Sequence, residues 1–588
     1  MMAEGVAQIA SPDEGTKQRF AEMAASIVGS FPSGERRAWL EASWADPTGF
    51  DQVLFAEMRR RSRSFSSRGD GTIDLFHDLI VRHQWEYRAG AGPGTAGQVA
   101  FCYVPTGGSQ LCAVGYDELL GAAVRLACCW VGRGMRAGST LCIVASPGLA
   151  RVVGLLAGLC VGVRLSLVQP LGRQHVRNRL ALLAPDHVAS VEGLSWYGFC
   201  KEVLPLEPPR SQVVGEGLVP YRYAPDEPVL GFVSPLAHGS EALVVLTAGE
   251  CMARLLCDGL LLLPVVKGER VSALGRVAEL VEPTLWMVTW LMGGTYVELD
   301  GGVCQREPRL LRDAALQVVL AGGRLLPWLL AEVEALVPSL RRWFVDPTGE
   351  LRWQEGWRLA ERLAELGVLV SNGVYLAPLG GTLAWSPKGT RLDPLQVLPA
   401  PGLPWSLQDV SGALSAVPVD HGVLRVEGRS RGQTGDLLVA ATQQAFGLAG
   451  ATTPRIGGRC YPRDEVVELL EALPQVLKAL VVVLPSRFVM NDGEAHLLVF
   501  VDPYRDAGTV GGAGLMELVT RELGPAARAS KLEVVPLAPR LRAGKVDPVW
   551  AHGQYVSGMM FKKRESEAFR CLARLGYLFA AMQAQGGA

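Results

Sequence analysis

The strongest constraint on this chain is an alternation of two kinds of apolar segment. Between residues 116 and 191, three stretches carry apolar positions every third or fourth residue: YDELLGAAVRLACCWVGRGM, LARVVGLLAGLCVGV and HVRNRLALLAP. Each is followed by a short, largely apolar run: STLCIVA, RLSLVQPL and DHVASV. The first kind reads as helix and the second as strand. A strand without a polar face must be covered on both sides, and the intervening helices are what can cover it. The pattern predicts an α/β fold on a doubly wound, parallel sheet. Glycines in WVGRGM and CVGVR mark expected helix ends. A pocket is expected at the carboxyl ends of the strands, where open α/β sheets hold ligands.

The same rhythm assigns residues 72–445 to one large domain. Residues 1–71 read as a helical N-terminal extension, with TKQRFAEMAASIVGSF, SGERRAWLEASW and GFDQVLFAEMRRRSRSF punctuated by Pro32 and Pro47. Residues 446–552 read as a small α+β domain. In it, RDEVVELLEALPQVLKALVVVLP is helix then strand, GEAHLLVFVDP a strand, GLMELVTRELGP a helix and KLEVVPLAPRLRAGK a strand entering a turn. Residues 553–588 form a C-terminal amphipathic helix, ESEAFRCLARLGYLFAAMQ, expected to dock on its own protein.

Composition removes several functional classes. Lys and Arg number 57 and Asp and Glu 58, so the net charge of −1 gives no global field for nucleic acid. The run Arg59, Arg60, Arg61 and Arg63 reads as a solvated helix face or a set of salt-bridge partners. Twelve cysteines include no CxxC pair and no zinc-finger spacing. Most lie in apolar runs, as Cys142 and Cys160 do, and read as buried reduced thiols, which favours a cytoplasmic location. The N-terminus lacks the basic start and apolar core of a signal peptide. The most apolar stretch, residues 141–163, is broken by Pro147 and Arg151, and a span needs about 20 mostly apolar residues. Trp130, Trp286, Trp290 and Trp328 lie in apolar segments and are expected in the core or an interface. No Gx4GK[ST], GxSxG or HExxH motif occurs.

A series of short segments, in order, resembles the adenylate-forming superfamily of acyl-CoA synthetases and peptide-synthetase adenylation domains. GYDEL at 115–119 looks like its TYxEL helix start, and GMRAGSTLCIV at 134–144 like its GVxxGDxVAI. LLAGLCVGVRLSLVQP at 155–170 looks like LAxLKAGAxxxPL. SPLAHGSEALVVLTAGE at 234–250 falls where the phosphate loop TSGTTGxPKG should lie, VLAGGRLL at 319–326 looks like sGGxxL, and VSNGVYLAP at 370–378 sits where NxYGxTE should sit. Thr434-Gly435-Asp436-Leu437 matches TGDL, and Ala543-Gly544-Lys545-Val546-Asp547 looks like the sGKvdr turn. The resemblance covers about residues 74–550. It implies a large N-terminal lobe with a smaller C-terminal domain, ATP and Mg²⁺ as cofactors in the active members, and a carboxylate substrate passed to a thiol such as CoA or a carrier protein.

The resemblance implies site residues at Ser234, His238, Gly239 and Ser240 in the phosphate loop, Gly322 and Gly323, Asn372 and Tyr375. Asp436 would hold the ribose hydroxyls and Lys545 would be the catalytic lysine. Each has a plainer reading. Asp436 can be a turn residue, Lys545 a solvated turn lysine and His238 an exposed loop histidine. Lys267 occupies the area of the acyl-pocket entrance and also reads as a surface lysine. The departures fall on the chemistry. Pro235 lacks an N–H, Leu236 and Ala237 lack hydroxyls, and the loop lysine is replaced by Ala242. Glu241 brings an anion where a triphosphate would sit, a repulsion of about 1 kcal/mol at 4–5 Å even in a solvent-like dielectric. Ala377-Pro378 replaces Thr-Glu, so the magnesium-side carboxylate is missing, and ATTPRIGG lacks the acidic hinge pair. The expectation is a ligase-like fold acting as a non-catalytic binding or scaffold subunit for an acyl or adenylate-like ligand or a carrier protein. The alternative is a divergent ATP-dependent ligase.

Overall fold

The computed structural model describes residues 40, 43–67, 71–84, 98–105, 108–170, 173–191, 203–207, 218–235, 241–274, 281–299, 303–304, 307–322, 339–346, 362–363, 365–376, 380–385, 396–403, 405–408, 422–427, 434–441, 446–450, 455–456, 459–460, 463–485, 493–501, 511–524, 527–535, 539–542, 545–546, 550–551, 554–555 and 560. The chain divides into two compact units. One comprises residues 1–169, 179–195 and 200–452, the other residues 170–178, 196–199 and 453–588.

In chain order, the elements begin with α1 (Pro47–Arg61), a π-helical turn His77–Val81, β1 (Val99–Tyr103), β2 (Cys112–Gly115) and α2 (Tyr116–Gly132). They continue with β3 (Thr140–Val144), α3 (Leu149–Val161), β4 (Arg164–Val168), α4 (Arg173–Leu183), β5 (His187–Ser190) and β6 (Val203–Pro205). Next come β7 (Pro228–Pro235), β8 (Glu241–Thr247), α5 (Ala248–Cys257) running into a π-helical turn Asp258–Leu262, β9 (Arg270–Leu274), α6 (Thr284–Leu291) and β10 (Thr295–Glu298). Then follow α7 (Arg309–Ala314), β11 (Val318–Gly322), β12 (Arg342–Asp346), β13 (Leu369–Leu376), β14 (Gly381–Trp385), β15 (Gln396–Pro399), β16 (Trp405–Gln408), β17 (Gly422–Glu427), β18 (Thr434–Ala441) and β19 (Phe446–Gly450).

Two sheets organise the first unit. The smaller has the order β6-β5-β3-β4-β7-β8, parallel except for the antiparallel edge β8. The larger has thirteen strands, in the order β16-β17-β18-β19-β15-β14-β13-β12-β11-β9-β10-β1-β2. Its centre, from β13 to β1, is parallel, and both flanks are antiparallel. This is the α/β architecture that the apolar runs predict.

Local chemistry sets the boundaries. Glu118 accepts a hydrogen bond from the Gly115 N–H (2.9 Å) at the start of α2. Thr247 and Glu250 close a reciprocal capping box on α5. The α3 residues 151–161 are all buried, which suits a helix apolar all round. It stops at Gly162, whose φ of 89° is left-handed and whose Cα faces the Tyr221 ring too closely for a side chain. Trp130, Trp286 and Trp290 are fully buried in the main core. Trp328 lies outside the described residues.

The described part of the N-terminal 71 residues packs on the main core. Phe50, Leu54, Phe55 and Met58 of α1 belong to the same core, and α1 packs on α5. Trp44 donates from Nε1 to the Ala400 carbonyl (3.1 Å) and meets Trp405 edge-on. Arg60 and Arg61 both bond the buried Glu57 carboxylate. Burial alone would raise that carboxyl, but these bonds hold it below its usual range. The segment TKQRFAEMAASIVGSF lies outside the described residues, as does nearly all of 553–588.

The second unit contains β20 (Arg455–Ile456), β21 (Arg459–Cys460), α8 (Arg463–Glu471), β22 (Val476–Pro485), β23 (Gly493–Val501), α9 (Gly512–Leu523), β24 (Lys531–Val535), β25 (Leu541–Arg542) and β26 (Lys545–Val546). β22 and β23 pair antiparallel and β24 joins in parallel. Val466, Leu470, Leu497, Val499, Leu515 and Val519 form its core on one face of the sheet, and Leu498, Phe500, Val535 and Tyr555 cluster on the other. β19 pairs with β15 and β18 in the large sheet, within the first unit.

Candidate active site

The segment expected to form a phosphate loop is flanked by two antiparallel strands, β7 and β8. β7 and β8 stay in register from Pro228↔Thr247 to Ser234↔Ala242 and Pro235↔Glu241. Only the five residues Leu236–Ser240 remain between the paired ends, and His238, Gly239 and Ser240 among them lie outside the described residues. Ser234 is on the paired part of β7. A triphosphate cradle needs successive free N–H groups on a supple loop. Here ladder pairing runs to a proline that has no N–H to give. Among the described residues no group of three or more His, Cys, Asp or Glu side chains is arranged to hold a metal.

On the large sheet, Gly322 ends β11 opposite Asp346 of β12, and Asn372 of β13 pairs with Val345 of the same strand. These two candidates therefore lie near one level of the sheet, on the two strands that flank β12. Gly323 is outside the described residues. Asp436 lies on β18 opposite Arg425, four strand positions from β13 in the same sheet. Lys545 belongs to the second unit, opposite Arg542 in a hairpin with Ala543 and Gly544 between the strands. Lys267 is exposed in a turn.

Tyr375 points into the core and is 5% exposed. With Leu262, Leu320, Phe344, Thr382 and Trp385 it lines a small pocket. Leu320 and Phe344 are central in their strands, so this pocket lies alongside the sheet instead of beyond its carboxyl edge. Beside it sits Asp258, fully buried, whose carboxylate accepts from the Thr382 N–H (3.1 Å). Burial pushes the Asp258 carboxyl up to about 6, and the nearby Arg254 cation and the Thr382 and Tyr375 groups offset only part of it. The Tyr375 and Thr382 hydroxyls favour the Asp258 anion by proximity, yet neither completes a hydrogen bond of ordinary geometry. Arg254 donates to the carbonyls of Pro401 (2.9 Å) and Thr382 (2.6 Å). Gly381, at φ 154°, leaves the room in which the Asp258 carboxylate sits.

A second buried ionic group joins the two sheet systems. Arg151 of α3 donates to Glu282 (2.9 Å), with side chains 5% and 3% exposed, and lies over the Trp286 ring. Glu298, the last residue of β10, is half-buried, and its Oε2 is buried without a hydrogen bond. Burial, reinforced by Glu282, pushes the Glu298 carboxyl up to about 8 despite Arg151. The Tyr296 hydroxyl and Trp286 Nε1 beside it also lack bonds of ordinary geometry.

Motif reading missed these ionisable groups. The sequence does carry their signal: a lone charge inside an apolar run, as in LARVVGLLAGLCV, LLCDGLLLLP and LVEPTLW. When such a run is buried, its charge must find a partner.

The chain has the fold of the adenylate-forming enzymes, as solved structures of that fold show. An o-succinylbenzoate-CoA synthetase double mutant from Bacillus subtilis, bound with a product analogue, matches with a TM-score of 0.65 at 16% identity, over 82% of this chain and 98% of that one. An acetoacetyl-CoA synthetase from Streptomyces lividans matches with a TM-score of 0.59 at 16% identity, over 92% and 94%. An artificially fused adenylation–PCP di-domain NRPS from Klebsiella oxytoca matches with a TM-score of 0.57 at 14% identity, over 78% and 93%. At these identities the likeness is one of fold. No protein-family model matches the chain, and no curated protein matches its sequence. Among the described residues no helix is long and apolar enough to cross a membrane.

Proposed function

We propose that this chain is a ligase-type scaffold that binds an acyl or adenylate-like ligand, or a carrier protein, without forming an acyl-adenylate. The observation that carries this reading is the β7–β8 ladder, paired as far as Pro235 and Glu241. The residues present do not fit ATP with Mg²⁺. The loop between the strands is short, its flanks supply a proline and an acid, and Ala377-Pro378 stands where a metal-side Glu is needed. Packing and catalysis rest on different residues, so the fold can outlast the reaction. A carrier partner is suggested by the adenylation–PCP neighbour, and an acyl ligand by the CoA synthetase neighbours.

A second reading, a divergent ligase, draws on the survival of the TGD strand and of Lys545 in its hairpin. ATP–pyrophosphate exchange over a broad panel of carboxylic acids separates the two. The scaffold gives no exchange above background, and calorimetry detects no ATP·Mg²⁺ binding. Clear exchange that disappears in Lys545→Ala would establish the ligase instead.

A further inference from the structure

We propose that Ser43 and Trp44 form a latch that keeps the β14–β15 wall of the small pocket shut, and that releasing it lets this wall swing on Arg254. The latch is built on the corner between β15 and β16. Ala400, Pro401, Gly402 and Leu403 are buried there, and buried backbone polar groups between strands need partners from elsewhere. The Ala400 carbonyl accepts from Trp44 Nε1 (3.1 Å), and the Gly402 N–H donates to the Ser43 hydroxyl (3.2 Å). That hydroxyl donates its own proton to the Leu40 carbonyl (2.7 Å), which leaves its lone pairs for Gly402. Leu40 and Leu403 lie in the same core, and Trp44 meets Trp405 edge-on at 5.5 Å.

Main-chain bonds carry the corner's position to the pocket. The Ala400 N–H donates to the Leu383 carbonyl (2.9 Å), and β15 pairs with β14 at Pro399↔Ala384 and Leu398↔Trp385. Thr382 and Trp385 of β14 line the pocket together with Leu262, Leu320 and Phe344. Its free volume is about 10 Å³, room for about one water molecule, so a larger occupant needs the wall to move. Arg254 of α5 grips the same wall, with Nη1 donating to the Pro401 carbonyl (2.9 Å) and Nη2 to the Thr382 carbonyl (2.6 Å). The Arg254 bonds are charge-assisted and the latch bonds join neutral groups, so the latch yields first and Arg254 stays as the pivot. The segment before α1 thereby sets how firmly the pocket is closed.

Hydrogen exchange of the full chain, in the wild type and in Ser43→Ala and Trp44→Phe, tests the latch. Each substitution removes one latch bond and keeps most of the side chain's packing. Peptides covering 380–385 and 396–403 should lose protection several-fold in either variant, while peptides covering 149–161 keep theirs. The readout needs no ligand, so it does not depend on whether the chain forms an acyl-adenylate. Unchanged protection at 380–385 overturns the proposal even if 396–403 loosens, because the latch then does not reach the pocket. An equal loss across the first unit also overturns it, because Ser43 and Trp44 are then only part of the general core. Should one variant not fold, the other is read in the same way. Should neither fold, exchange of the wild type at low denaturant decides. There 380–385 and 396–403 should open in step and before α3, and opening only together with the whole unit overturns the proposal.

Discussion

Arg151 is the side chain on which the largest single effect is expected. Arg151→Met removes the cation that the buried Glu282 carboxylate faces, and should cost about 3–5 kcal/mol in denaturant unfolding. Adding Glu282→Leu should restore much of that loss, because the pair itself contributes little beyond its own desolvation. Asp258 makes a separate prediction. Its folded carboxyl is raised to about 6, so the folded state binds the extra proton and stability falls as pH rises from about 4 to 6. The full change is on the order of 3 kcal/mol. Asp258→Asn should flatten that part of the stability curve, read as melting temperature against pH.

Helix ends carry the predictions at the next level. Gly162→Ala should lose about 1 kcal/mol or more, since the left-handed stop of α3 suits glycine and the Tyr221 ring crowds the new methyl. Thr247→Ala should lose about 1 kcal/mol through the α5 cap. Both are measurable by equilibrium unfolding. The segments from α2 to β5 were legible because their burial on two faces is written as apolar run and helical period. The destination of β19 was not, since antiparallel partners are chosen by register and packing, which leave no period in a five-residue strand. Nor was the β7–β8 ladder on either side of residues 236–240 legible. There a family motif suggested a loop, while the alternation VLGFVSP and EALVVLT allows two pairing strands. Tyr375 shows the same limit: the motif marks it as a site residue, and only the fold reveals that it faces Asp258 inside the core.

Taken whole, the first unit encloses four of its cysteine thiols in a large apolar interior. Burial pushes the thiols of Cys142, Cys160, Cys251 and Cys257 up to about 12. A thiolate-seeking reagent applied to the native protein should spare these four and modify the exposed Cys112, and denaturant should make all five react. Mass spectrometry of the labelled peptides reads the result.

The same sealed interior gives the chain a built-in optical gauge. Trp130, Trp286, Trp290 and Trp343 have essentially no contact with water, while Trp550 is the one tryptophan among the described residues of the second unit. Indole emission shifts to the red when water reaches the ring, so a fluorescence melt of the intact protein will follow the large unit almost alone. Backbone circular dichroism sees both units, and any gap between the two curves measures how independently the small one comes apart.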